Sequence, residues 1–328
     1  MKLLTNNRLG YALMLVLALA APFFEYPVFL MELLCFALFA CAFNLLIGYT
    51  GLLSFGHAAF LGGAGYITGY TVQTLGLTPE LGLLAGTAFA ALLGLLVGVL
   101  AIRRQGIYFA MITLALAQMM YFIWLRVPFT GGEDGMQGIA RGRLFGLFDL
   151  ANDRVMYFVV LAILVGGFWL IHRTIHSPFG QVLKAIKENE PRAISLGYDV
   201  DRFKLLAFVL SAALAGLAGS AKVLVMHLET LTDVHWTMSG LVVLMTLVGG
   251  LGTVLGPMVG AVIVVLLEHQ LGELGDFMAK VTHIEWFRTL GENVGIVTGL
   301  IFIVCVLLLR KGVVGEIADA WQNRRKKA

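Results

Sequence analysis

Few side chains in this sequence are equipped for chemistry, and those few lie within or beside long apolar runs. Asn44, Ser54, Gly56 and His57 surround a glycine-dense stretch, and Gln118 lies in another apolar run. Polar groups among apolar residues are costly, and they commonly mark the route of a solute or an ion. Dense glycine lets backbones approach closely or leave helical geometry. We predict that these five residues line a solute path, and close helix packing is the alternative interpretation.

Cysteine, histidine and serine are present, but their spacing does not match known catalytic or metal-binding motifs. Cys35, Cys41 and Cys305 all lie in apolar runs without a Cys-x-x-Cys pair, as small buried hydrophobic residues do. The sequence has no His-Glu-x-x-His zinc motif and no Gly-x-x-x-x-Gly-Lys phosphate loop. Around Ser54 there is no Gly-x-Ser-x-Gly nucleophile motif. We predict no catalytic residue and no metal site, and this chain alone is not expected to hydrolyse ATP.

Glu32 is an acidic residue within an apolar run, five residues from its predicted outer boundary. We interpret it as a partly hydrated structural carboxylate. A gradient-driven secondary transporter should carry paired charges inside the membrane for ion coupling. Glu32 alone does not supply such a pair, so this class is the weaker alternative.

The composition indicates the elements that hold these residues. Of the 328 residues, 59% are hydrophobic and 13% are charged, whereas a soluble domain has roughly 25% charged residues. Runs of about 20 apolar residues suffice to cross a bilayer as helices. We predict an all-α integral membrane protein with about ten transmembrane helices, some of them short or broken. The predicted spans are 9–24, 27–47, 56–75, 81–102, 107–125, 155–171, 205–226, 238–250, 253–267 and 294–309.

The first of these spans also resembles a secretory signal peptide, because Lys2 and Arg8 precede it and small residues occur near its end. We favour an uncleaved helix. The predicted inward segments then carry 16 of the 23 Lys and Arg residues, so both termini are predicted inside. In this topology Lys222 lies near the outer end of a span, where it can snorkel. The chain is one transmembrane domain, 1–328, with an outward loop at 126–154, an inward loop at 172–204 and a basic inward tail at 310–328.

The inward loop contains the signals of a short helix. Asn189 and Glu190 precede Pro191, and Gly197 follows Leu196. Such residues favour a helix start and a helix stop. We predict an exposed helix over 191–196 whose apolar surface is offered to a partner by Ala193, Ile194 and Leu196. The alternative is a solvated charged connection without a docking role.

Three segments resemble motifs of the permease subunits of branched-chain amino-acid ABC importers. The stretch from Gly48 to Phe60, GYTGLLSFGHAAF, is similar to the family signature. The stretch from Ala185 to Ala193, AIKENEPRA, with the following residues to Phe208, is similar to the coupling loop. Thr130-Gly131-Gly132-Glu133-Asp134-Gly135 resembles the T-G-G-x-x-G stretch of the M-type permease. The loop lacks the Glu-Ala-Ala sequence of other ABC importers, as this family does.

The resemblance implies an inner-membrane permease that works with a second permease, two cytoplasmic ATPase subunits and a periplasmic binding protein. ATP and Mg would bind to the ATPases, and both termini would be cytoplasmic. The implied solute is a branched-chain or similar small amino acid, with urea or short amides as the alternative. The coupling residues would be Lys187, Glu188, Glu190, Pro191, Arg192, Ala193, Leu196 and Gly197. The binding protein would contact Thr130, Gly131, Gly132 and Gly135, unless that loop folds back toward the pore.

Overall fold

A computed structural model shows a bundle of α-helices with two small two-stranded sheets. The structure describes residues 14–23, 25–282 and 312–316, together with 10, 299, 300 and 303. The helices are α1 (Met14–Phe23), α2 (Pro27–Thr50), α3 (His57–Gln73), α4 (Pro79–Ala101), α5 (Ile107–Arg126), α6 (Asp153–Ile175), α7 (Pro178–Glu188), α8 (Glu190–Ser195), α9 (Val200–Met226), α10 (Leu231–Val234), α11 (Trp236–Gly249) and α12 (Gly256–Thr282). The predicted all-α membrane fold is confirmed.

Five of the described helices are long and apolar enough to cross a membrane, namely α2, α4, α5, α6 and α9. Each predicted span up to residue 267 coincides with a described helix. The predicted span 294–309 and the tail 310–328 lie almost entirely outside the described residues. In α2 and α9, 78% of the apolar window is buried, against 33–39% in α4, α5 and α6. Helices α2 and α9 therefore form the centre, and α4, α5 and α6 leave apolar faces exposed at the outside of the bundle.

Two groups of loops define the two ends of the bundle. At one end, the loops 176–199 and 250–253 contact the C-terminal part of α2, and Gln105 of the turn 103–106 contacts Glu190 of the first loop. We call this the coupling end. At the other end, strand β1 (Met136–Gln137) pairs with β4 (Leu228–Glu229), and β2 (Arg143–Leu144) pairs with β3 (Phe148–Asp149). We call this the far end, and its long loop is folded rather than open.

Small residues let α9 approach α3 and α4 closely. A Cβ at Gly219 would collide with the Leu61 carbonyl of α3, and one at Gly94 of α4 would collide with Ala212. Close backbone approach through small residues is a common way for helices to associate in membranes. The glycines of α4 that face α9 are therefore explained by packing.

We expect Gly219→Ala to destabilise the bundle by about 1–3 kcal/mol, because the added methyl overpacks a backbone contact. Thermal unfolding of the detergent-solubilised protein measures this. Gly166→Ala is the matched control, since a Cβ at this exposed position of α6 meets nothing within 4 Å. Equal stability of the two variants would contradict the packing role of Gly219.

The two short spans near residue 250 form a helical hairpin of unequal arms. Helix α11 has 14 residues, or about 21 Å at 1.5 Å per residue, which is too short to cross ~30 Å of hydrocarbon. Helix α12 continues to Thr282 and has 27 residues. Its apolar part is only Gly256–Gln270, which by itself is also short for a span. Polar residues such as Glu268 end the apolar run, but they do not interrupt backbone hydrogen bonding in a helix.

Candidate functional site: the coupling loop and the buried polar groups

Helices α7 and α8, in the loop 172–204, begin at local caps. The Ser177 side chain accepts a hydrogen bond from the Gly180 amide, and Asn189 accepts one from the Arg192 amide. Each helix also has proline in its first turn, where a missing N–H costs nothing. Gly197 follows with φ of 88°. This left-handed conformation ends the helix, and glycine adopts it without the steric strain that a Cβ would cause. The predicted short helix is present and runs from Glu190 to Ser195.

The loop has its own small core and one exposed apolar patch. Ile186, Ala193 and Val200 pack together. Ala193 is only 2% exposed, so the prediction that it offers surface to a partner was wrong, because it closes this small core. Ile194 and Leu196 are 57% and 68% exposed, and we call these two residues the docking patch.

An ion pair joins the start of helix α8 to helix α9. The Lys204 ammonium at the start of α9 lies 2.7 Å from the Glu190 carboxylate, and the Lys204 side chain is 3% exposed. Gln105, in the turn after α4, donates a second hydrogen bond to Glu190 at 2.9 Å. A buried ammonium needs such a partner, so Glu190 holds the loop at a defined place. Glu188, by contrast, is exposed.

A second set of contacts joins the loop to the centre. The Lys187 ammonium donates a hydrogen bond of 2.7 Å to the Gly48 carbonyl near the end of α2. Asn44, one turn earlier, accepts from the Gly252 amide and donates to the Thr253 carbonyl, both at 2.9 Å. We call these five residues the loop junction. The junction links the coupling loop, the central helix α2 and the α11–α12 turn.

His57 lies in the middle of the bundle and is fully buried. Its Nε2 is 2.9 Å from the Ser211 hydroxyl, and that hydroxyl donates to the Ala42 carbonyl at 2.6 Å. Since the single hydroxyl proton is used, Nε2 must carry the ring proton. The rings of Phe43, Phe60 and Phe208 pack edge-on around the imidazole. Nδ1 of His57 has no partner.

The side chains of the other predicted path residues form no hydrogen bond with His57. Ser54 accepts a hydrogen bond from the Gly56 amide at 3.1 Å and supports the turn before α3. Thr113 of α5 accepts one from the Phe55 amide at 3.1 Å. Gln118 is half-buried and follows Thr113 by five residues, or about 7.5 Å along the helix and on a different face. A path through these residues stays a prediction.

The glycine-rich loop at the far end folds back onto the bundle. Thr130 is fully buried and donates to the Trp124 carbonyl at 2.7 Å. Gly131 and Gly135 have φ of 76° and 71°, and a Cβ at Gly135 would collide with the Glu229 carbonyl. Gly131 is exposed and Gly132 is half-exposed. Contact of this loop with a binding protein stays a prediction.

A buried charged cluster lies at the far end, and the sequence alone did not predict it. The Lys222 ammonium lies 2.5 Å from the Asp233 carboxylate, with side-chain exposures of 11% and 4%. Lys222 therefore does not snorkel to the surface, because it has a buried partner. Glu229 is 1% exposed. One feature of the sequence could have predicted the cluster. Glu229 and Asp233 follow Lys222 within twelve residues, and this lysine lies inside a predicted span.

Comparison with known proteins agrees with these features. The family model described as branched-chain amino acid transport system / permease component matches residues 28–311. No solved structure matches the chain.

Among curated relatives, the high-affinity branched-chain amino acid transport system permease protein LivM of Escherichia coli K12 is 27% identical over 303 residues, which are 83% of this chain and 70% of the relative. LivM of Salmonella typhimurium is 28% identical over the same shares. The ribose import permease protein RbsC of Bacillus subtilis is 28% identical, over 60% of this chain and 58% of the relative. A match over most of the chain, together with its buried apolar helices, shows that this multi-pass membrane protein belongs to the family of permease components of branched-chain amino acid transport systems.

Proposed function

We propose that this chain is a permease subunit of an ATP-driven importer that moves branched-chain or similar small amino acids from the periplasm to the cytoplasm. The observation that carries the proposal is the likeness to the LivM permeases over 83% of the chain. The ribose permease covers 60% of the chain, and the autoinducer-2 permeases match either 58% of it at 30% identity or 83% of it at 25% identity. The LivM permeases combine 83% coverage with 27–28% identity. Amino acids are therefore favoured over sugars, and urea or short amides are the alternative within this family.

The coupling loop supports a separate ATPase. Ile194 and Leu196 are exposed on a short helix that the Glu190–Lys204 pair holds against the bundle. An exposed apolar patch on a fixed element favours a protein partner. We propose that each of two cytoplasmic ATPases, which bind ATP and Mg, receives such a helix. When the two ATPases close on each other, the transmembrane helices would change between inward-open and outward-open states.

The remaining partners and the orientation follow from the same proposal. A second permease would complete the membrane unit, and a periplasmic binding protein would deliver the solute at the far end. The coupling end would face the cytoplasm of a bacterial cell, because it carries Arg103, Arg104 and most of the basic loop residues. Both termini would then be cytoplasmic in the inner membrane.

A gradient-driven secondary transporter is the second candidate, because Lys222 and Asp233 form a buried charged pair. Ion-coupled transporters use such pairs. The docking patch has no role in that mechanism, which makes this candidate the weaker one.

The test is uptake by proteoliposomes that contain the chain purified with its co-purifying subunits. Uptake of leucine that requires ATP and a loaded binding protein, and that persists with a protonophore, would support the proposal. Uptake that a protonophore abolishes and ATP does not restore would support the gradient-driven candidate. Parallel assays with ribose and urea identify the solute class.

We expect Glu190→Lys to reduce co-purification of the ATPase by about tenfold. A second cation beside the buried Lys204 ammonium would displace helix α8 and the docking patch. Quantitative mass spectrometry of the tagged complex measures the ratio of ATPase to permease. Asp201→Lys is the matched control, since it makes the same charge change at an exposed position of the same end. A wild-type ratio in Glu190→Lys would show that the ion pair does not position the docking patch.

A further inference from the structure

The hairpin of strands β2 and β3 ends in three exposed apolar side chains. Phe145, Leu147 and Phe148 are 68%, 82% and 55% exposed, and we call these three residues the hairpin tip. Single exposed apolar residues are common on protein surfaces, whereas a cluster of them marks a contact surface. The hairpin tip therefore indicates a contact with something outside the chain.

The backbone of the tip is strained at its phenylalanine. The Leu147 amide donates to the Leu144 carbonyl at 3.1 Å and closes a turn. The two residues inside this turn, Phe145 and Gly146, have φ of 51° and 70°. A turn with positive φ at both central positions prefers Asn-Gly, because a bulky side chain is strained there. Since the Phe145 side chain is largely exposed, packing within the chain does not offset this strain.

The hairpin is held beside the first turn of a membrane-spanning helix. A Cβ at Gly142 would lie 3.3 Å from the Pro79 ring, and the Phe145 amide donates to the Glu80 carboxylate at 3.4 Å. Pro79 and Glu80 begin helix α4. The tip therefore lies at the depth where α4 enters the hydrocarbon, and it does not project into the water beyond the membrane.

A buried arginine fixes the base of the hairpin at this place. Arg141 forms an ion pair with Asp153 of α6, and its side chain is 4% exposed. It also donates to the Leu224 and Val225 carbonyls of α9, at 3.0 and 2.9 Å. These contacts join the hairpin to two membrane-spanning helices, so the position of the tip beside α4 is set by the folded bundle.

The polarity of the hairpin fits the boundary between lipid and water. Arg143 and Asp149 pair in register directly behind the tip, and both are exposed. Leu81 and Leu84, which follow Glu80 in α4, are exposed apolar residues. Apolar surface therefore extends from the tip toward the hydrocarbon, and charges lie on the other side of the tip. Segments that lie in a membrane interface have this division, with aromatic and aliphatic side chains at the acyl boundary.

We propose that the hairpin tip inserts into the lipid leaflet at the far end, with Phe145, Leu147 and Phe148 at the boundary between headgroups and acyl chains and Arg143 among the lipid phosphates. A protein partner is disfavoured, because a stable interface buries about 800 Å² on each side and three side chains supply too little. Through this contact the lipid bilayer anchors the far-end loop 126–154.

The test places a fluorescent amino acid at position 147 of the chain, purified with its co-purifying subunits and reconstituted in lipid nanodiscs. We expect nitroxide groups on the first part of the acyl chains to quench this probe about threefold more strongly than a probe at position 133, because only the tip reaches that depth. Position 133 is the matched control, since Glu133 is an exposed residue of the same loop outside the hairpin.

Two results of this experiment would overturn the proposal. Equal quenching at the two positions would place the tip outside the lipid. Strong quenching at position 147 in the chain alone, lost when the other subunits are bound, would identify the tip as a protein interface.

A double variant, Phe145→Asn/Phe148→Asn, separates insertion of the aromatic rings from mere nearness to the membrane. Asn-Gly is the preferred pair of such a turn, so the variant keeps the hairpin and relieves the strain at position 145. We expect lipid quenching of the probe at position 147 to fall by about twofold in this variant. Unchanged quenching would show that the phenylalanines do not anchor the tip, and would contradict the proposal.

Discussion

Lys222→Met is expected to destabilise the protein by about 3–5 kcal/mol, because it leaves Asp233 as a buried, unpaired charge beside Glu229. Asp233 is 3% exposed, and its ion pair with Lys222 spans 2.5 Å. In a protein of 328 residues, such a loss corresponds to a fall of about 4–7 °C in the melting temperature of the detergent-solubilised chain. Differential scanning fluorimetry measures the change.

The double variant Lys222→Met/Asp233→Leu separates the cost of an unpaired charge from the value of the pair. Replacing both partners by apolar residues is often close to neutral in proteins, because the desolvation cost disappears together with the attraction. We therefore expect the double variant to recover most of the lost melting temperature. If it is as unstable as Lys222→Met, the pair does not account for the destabilisation and the methionine itself packs badly.

Lys187→Met is expected to uncouple transport from ATP hydrolysis and to lower the leucine imported per ATP by about tenfold, since it removes a charge-assisted hydrogen bond from the loop junction. The ammonium of Lys187 is the direct link between the coupling loop and the Gly48 carbonyl of α2. The ATPase should still co-purify, because the docking patch and the Glu190–Lys204 pair are untouched. Proteoliposome uptake and phosphate release measure the ratio.

Lys184→Met is the matched control, because its ammonium lies over the Tyr49 ring, 5.7 Å from the ring centre, in the same helix. Lys184 is half-buried, and its contact with the ring is weaker than a charge-assisted hydrogen bond, so a smaller loss is expected. Equal losses in the two variants would mean that the net charge of α7, and not the junction, controls coupling. Recovery in Lys187→Arg would support the hydrogen bond.

Helix α9 connects the features on which these predictions depend. It carries Lys204 in the ion pair at the coupling end, Ser211 against His57 in the middle and Lys222 in the charged cluster at the far end. The 18 residues from Lys204 to Lys222 cover about 27 Å as a rigid helix. A displacement of the coupling loop can therefore reach the far end through one continuous element, and rigid helices are one means by which distant sites are coupled.

The sequence by itself determined the class of protein and the positions of most helices. Long apolar runs have one stable solution in a bilayer, which is the helix, so span positions can be predicted without knowledge of packing. The caps at Asn189 and Gly197 are local as well, and they predicted helix α8 to within one residue at each end. The motifs of the coupling loop and the T-G-G stretch were sufficient to predict the family.

Only the tertiary structure decided which polar groups meet. The pairs Lys187–Gly48 and Asn44–Gly252 are separated by 139 and 208 residues along the chain. A single sequence carries no signal for contacts of that range. The same limit explains the errors over Lys222 and Ala193, whose burial depends on neighbours from other helices. Local hydrogen bonding and hydrophobicity set the elements, whereas the partners of buried polar groups are set by how those elements pack.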